Sequence, residues 1–254
     1  MNWQALDASI LFPAFLAGLI VLSTHVPFGQ RVLERGIIFI DLAVAQVAGL
    51  GVIVADTWGW EVHGWGTQVA AASAAILAAL LLNGLEKRYA KIQEALIGVM
   101  FVLAATASIL VLSNNPHGGE HLKDLLVGQI LFVSLDQLWP IAGLYLGIVA
   151  TWFAFAQDRG SIWFYILFAI MVTASVQLVG IYLVFASLII PALATRLLKG
   201  FSRLAVAYGV GILGYGAGLV TSALLDLPSG AVVVWALALF GLIAGVATQA
   251  PARD

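Results

Sequence analysis

The chain has 254 residues, 62% of them hydrophobic and only 9% charged, with a formal net charge of −2 and no cysteine. A soluble domain of this size carries roughly 25% charged residues, so lipid must be the solvent for most of this chain, and the near-neutral balance argues against a nucleic-acid partner. The lack of cysteine excludes disulfides and thiolate metal ligands.

The first nine residues, MNWQALDAS, lack the basic region of a cleavable leader, so the first apolar run is expected to be retained. A helix needs about 20 residues to cross the hydrocarbon. Apolar runs bounded by charged and Gly/Pro clusters then predict spans over 9–28, 36–55, 67–85, 93–112, 138–157, 161–178, 180–196, 204–225 and 230–249. The expectation is an all-α, polytopic transmembrane helical bundle of eight or nine spans, forming a single transmembrane domain over 1–254.

Near the end of the first span, His25 precedes Pro27 and Gly29 and reads as an interfacial residue. The second span carries Asp41 and Gln46 within IFIDLAVAQVAGLG, residues 38–51. A carboxylate at a helix centre costs about 2.5 kcal/mol or more. Asp41 is therefore either a protonated or hydrogen-bonded group paired with Arg31 or Arg35, or a carboxylate lining a substrate path. Asp41 and Gln46 lie about 140° apart around a helix, so the two do not form a chelate on one face.

Three segments are expected as outer loops. The first, 56–67, holds Trp58, Trp60 and Trp65, which suit a water–lipid boundary. SNNPHGGEHLKD, 113–124, gathers His117, Glu120 and His121, where Gly118 and Gly119 argue against a regular helix. Imidazole and carboxylate on such a loop either collect zinc or manganese loosely or form an ordinary polar loop. The third is 225–230. LLVGQILFVS, 125–134, is too short to cross and is interrupted by Gly128, so it reads as a re-entrant half-helix. Pro191 interrupts the short seventh span.

With the N-terminus outside and nine alternating spans, Arg31, Arg35, Lys87, Arg88, Lys91, Arg159, Arg196, Lys199, Arg203 and Arg253 fall on the cytoplasmic side. Only Lys123 falls outside. That asymmetry fits the positive-inside rule and places the C-terminus inside. No nucleophile–base pair and no phosphate-binding loop is present, so any ATP chemistry belongs to another chain.

SVQLVGIYLVFASLIIPALATRLL, 175–198, closely resembles a stretch of the metal-transporting ABC permeases, with Val179, Gly180, Pro191, Ala192 and Arg196 among the matching positions. ERGIIFIDLAVAQVAGLG is similar to that family's early segment, a basic pair before G-D-A-L-S-H, and LKDLLVGQILFVSLDQLW to its L-x-G-x-I-L-x-V-S stretch. The resemblance implies a vitamin B12-type importer permease fold in the cytoplasmic (inner) membrane. It also implies a homodimer, a cytoplasmic ABC ATPase and an extracytoplasmic metal-binding protein, with Zn²⁺, Mn²⁺ or Fe²⁺ as cargo and no permanently bound cofactor.

The family aspartate maps to Asp41, implying a place in the metal path. Its histidine falls on Ala45, and Gln46 matches only with a one-residue insertion. FAQDRGSIWF is shorter than the family's cytoplasmic loop carrying the coupling helix, which leaves either 195–204 or 85–96 for the ATPase contact, or an unconventional coupling to ATP. Import of a metal chelate or another small solute, or a non-transporting membrane scaffold or sensor of the same fold, are the alternatives.

Overall fold

The computed structural model describes residues 6–61, 64–113, 115, 118–156 and 161–249. Among them lie ten α-helices and no strand: α1 (Ala8–Arg35), α2 (Ile40–Thr57), α3 (Trp65–Tyr89), α4 (Gln93–Leu112), α5 (Gly118–Val127), α6 (Leu135–Thr151), α7 (Ser161–Val179), α8 (Ile181–Ala194), α9 (Gly200–Leu225) and α10 (Ser229–Gln249). Seven stretches are long and apolar enough to cross a membrane, one being the 48-residue run Trp65–Leu112 that holds both α3 and α4. α8 is a shorter apolar helix.

Each expected span coincides with one of these helices, but several boundaries move for identifiable reasons. α1 continues seven residues past the expected end at 28, through Pro27 and Gly29. Gly29 permits this, because a Cβ there would lie 2.0 Å from the carbonyl oxygen of Leu188. α8 likewise runs unbroken through Pro191. Residues 118–124 are helical rather than loop, as the first part of α5. Both glycines occupy its first turn, and Gly118 abuts the carbonyl oxygen of Leu112, where a Cβ would come within 2.7 Å. The short segment expected at 125–134 is thus the end of α5, a break at Gly128 and a single 3₁₀ turn, Ile130–Phe132.

The chain divides into two compact units. The first comprises Met1–Arg35, Val127–Tyr145 and Leu178–Asp254. Here α9 packs along α10, and α8 lies against both α1 and α10. With lipid outside, apolar surface gives little drive to bring helices together, so small residues that allow close backbone approach carry the packing. Gly18 of α1 faces the ring of Tyr215 on α9, and a Cβ there would lie 2.3 Å from the ring. At the ends of α1 and α9, Glu34 accepts bonds from Arg203 at 2.8 Å and from Arg31 at 3.3 Å.

The second unit comprises Gly36–Leu126 and Leu146–Gln177. α2 is its axis, with α3 and α4 both packed on it and barely touching each other. Polar side chains tie further helices together: Gln68 on α3 donates to Gln177 on α7, and Gln93 on α4 donates to Tyr165 on α7 at 2.8 Å. Such interhelical bonds take the place of the hydrophobic drive that lipid withholds.

Candidate functional site

α2 is apolar almost throughout, and Asp41 lies in its first turn. The start of the helix is fixed locally. Ile40 N–H donates to the carbonyl of Ile37 at 3.1 Å, and Ala43 N–H donates to that of Phe39 at 3.2 Å. Phe39, the residue before the helix, donates its own N–H to Glu94 Oε1 on α4 at 3.1 Å. A carboxylate from another helix thus caps α2 where no local side chain does so.

Asp41 is completely buried, and neither carboxylate oxygen has a hydrogen-bond partner among the described residues. Its side chain therefore does not face lipid, and pairing with Arg31 or Arg35 is not observed. Arg31 instead donates to Glu34. A buried carboxylate left without donors is held at an energetic cost.

Gln46 is also buried. Because α2 is enclosed by α3 and α4, two residues on different faces of the helix are both removed from solvent, and burial alone does not bring Asp41 and Gln46 together. His117 lies outside the described residues, as does the side chain of His121. Glu120 is exposed on α5. Among the described residues no group of three or more His, Asp or Glu side chains is close enough to hold a metal ion.

His25 departs from expectation. It is fully buried rather than interfacial, in the α1 stretch Thr24–Val26 that is buried throughout. Its Nδ1 lies 2.8 Å from the carbonyl oxygen of Val21, while Nε2 has no partner among the described residues. A carbonyl only accepts, so Nδ1 carries the hydrogen and Nε2 keeps an open lone pair. That is the tautomer a metal-binding histidine uses, with its second nitrogen anchored by a backbone carbonyl. The sequence signal for it was His25 within an apolar run, which the neighbouring Pro27 and Gly29 disguised as a helix end.

Comparison with known proteins gives a consistent picture. The family described as the ABC 3 transport family matches residues 7–164 and 157–248. An uncharacterized membrane protein of Synechocystis sp. is 27% identical, over 91% of this chain and 88% of that protein. The manganese transport system membrane protein MntC of Halalkalibacterium halodurans is 26% identical, over 94% of this chain and 88% of that protein. Among solved structures, PsaBC from Streptococcus pneumoniae in complex with Fab superposes with a TM-score of 0.76 at 18% identity, covering 96% of this chain and 95% of that one. At that identity the likeness speaks for the fold.

Proposed function

The chain belongs to the ABC 3 transport family, and we propose that it is the permease subunit of an importer that moves a divalent transition metal, Zn²⁺ or Mn²⁺ before Fe²⁺, across the cytoplasmic membrane. Two copies form the path, a separate cytoplasmic ATPase supplies the energy, and an extracytoplasmic metal-binding protein delivers the ion. The N-terminus lies outside, as the distribution of basic residues favours.

The observation that carries this reading is Asp41, buried on a membrane helix without a hydrogen-bond partner among the described residues. Carboxylate oxygen suits manganese and zinc in passage. Conduction also requires that binding be weak enough to release the ion, and one carboxylate with no histidine four residues on meets that condition better than a full chelate. Gln46 is a secondary contributor on the same helix. His117, Glu120 and His121 are assigned to loose capture of the ion on the outer side.

For the ATPase, the α8–α9 turn is favoured over 85–96. Phe201 is 86% exposed and Leu197 is 56% exposed, beside Arg196 and Lys199.

The test is reconstitution of the chain with its ATPase in proteoliposomes, with uptake of Zn²⁺, Mn²⁺ and Fe²⁺ measured with and without ATP. ATP-dependent accumulation of a free metal ion supports the assignment. Accumulation only of a chelate, or of nothing while the ATPase is bound, defeats it.

A further inference from the structure

In the second unit, α3 and α4 diverge from their connection and leave a groove of about 430 Å³ floored by α2. Leu50 of α2, Leu81 and Leu85 of α3, and Leu96, Val99 and Leu103 of α4 line it, and every residue along it is apolar. Its walls are open: Leu81, Val99 and Leu103 are each more than half exposed. From Leu96 to Ala104 the groove follows α4 for about 12 Å of helix axis. Both walls belong to the Trp65–Leu112 run, which is apolar enough to cross a membrane. A groove at that depth is filled by something apolar, because lipid supplies no force that would close α3 onto α4.

One end of the groove differs sharply from the rest. Leu85 stands two and three residues before Lys87 and Arg88, and Lys91 follows in the 3₁₀ turn Ala90–Ile92 that joins α3 to α4. All three basic residues are exposed. The acidic residues flanking that turn lie deeper. Glu94 is half-buried and caps Phe39, and Glu86 is half-buried too. The outward charge at this end is therefore positive. A hydrocarbon-lined cleft ending in three exposed cations matches one class of ligand in both of its parts.

We propose that the α3–α4 groove is a binding site for an anionic phospholipid, with an acyl chain lying between the helices and the phosphate held by Lys87, Arg88 and Lys91. Basic clusters at the end of a membrane helix attract anionic headgroups, and each cation adds on the order of 1 kcal/mol of attraction near such a surface. The site is separate from Asp41 and does not depend on what the chain transports.

The experiment uses the full purified chain without any ATPase, exposed to equimolar phosphatidylglycerol and phosphatidylcholine and read by native mass spectrometry. Retained lipid is expected to be mostly phosphatidylglycerol, and K87A/R88A/K91A should lower that preference by about tenfold or more. V99W, which fills the groove from an exposed position, should remove the retained lipid while leaving thermal stability unchanged. Equal retention of both lipids by the unsubstituted chain overturns the headgroup assignment, and retention unaffected by V99W overturns the acyl-chain assignment. A second copy of the chain is the competing occupant. Because the chain has no cysteine of its own, L103C provides a single thiol. Efficient disulfide formation between two copies through that thiol in the membrane also overturns the proposal.

Discussion

Glu94 Oε1 accepts the backbone N–H of Phe39 at 3.1 Å, across 55 positions of sequence, two residues before Asp41. The bond fixes where α2 begins and so holds the turn that carries the buried carboxylate. Removing the acceptor with E94A should cost about 0.5–2 kcal/mol, the usual worth of an N-terminal cap. E94Q keeps an amide oxygen at the same place and should lose much less. Thermal unfolding in detergent and amide exchange at Phe39 would read the difference. Equal losses in the two variants would show that the cap does not hold the turn.

Asp41→Asn separates a pathway role from a structural one, because the two predict opposite combinations of outcomes. A buried carboxylate without donors weakens the fold, so a near-isosteric neutral amide should leave stability unchanged or raise it. If the charge serves the ion, uptake should fall by about tenfold or more, the scale on which metal sites respond to loss of even an outer partner. Melting temperature and metal uptake are measured on the same preparation. Loss of stability with normal uptake would make Asp41 a structural residue.

The apolar spans and the carboxylate within one of them were legible in the sequence because both follow from composition. Apolar runs near 20 residues mark spans, and a carboxylate within one has few reasons to be there. The ends of the helices were less legible. Gly118 reads as a helix breaker until its close approach to Leu112 is seen, and Pro27 reads as a stop although α1 continues past it. His25 was misplaced for the same reason, since burial near a proline depends on which helices pack there. The Glu94 cap could not be read at all, because it joins residues on different helices by a contact that no local pattern announces.

Gly128 and Gly180 provide a direct test of backbone packing in the first unit. Both adopt left-handed conformations, φ +72° and +81°. A Cβ on Gly128 would stand 2.2 Å from the carbonyl oxygen of Val179, and one on Gly180 would stand 2.3 Å from Gly128 N. Gly200 is also left-handed, φ +59°, but has nothing within 4 Å. G200A should therefore cost only the conformational term, about 1–2 kcal/mol. G128A and G180A add a collision with backbone that cannot rotate away, and each should prevent recovery of folded, monodisperse protein. Size-exclusion profiles and melting curves for the three variants decide this. Equal behaviour of all three would mean that the crossing relaxes freely.

The pair Ser187–Tyr215 yields a prediction whose direction follows from hydrogen placement alone. Ser187 Oγ donates to the carbonyl of Leu183 at 2.7 Å, and the Tyr215 hydroxyl lies 2.8 Å from the same Oγ. A serine has one hydroxyl hydrogen, so the tyrosine must be the donor between them. Tyr215→Phe then removes a donor while Ser187 keeps its own bond, at a cost of about 1 kcal/mol. Ser187→Ala instead strands a fully buried phenolic hydroxyl, at about 1–3 kcal/mol. Adding Tyr215→Phe to Ser187→Ala should recover part of that loss, because it removes the stranded group. Melting temperatures of the two single variants and the double variant measure the order. Should Tyr215→Phe prove the more damaging single change, the hydroxyl has a second partner and the assigned donor direction fails.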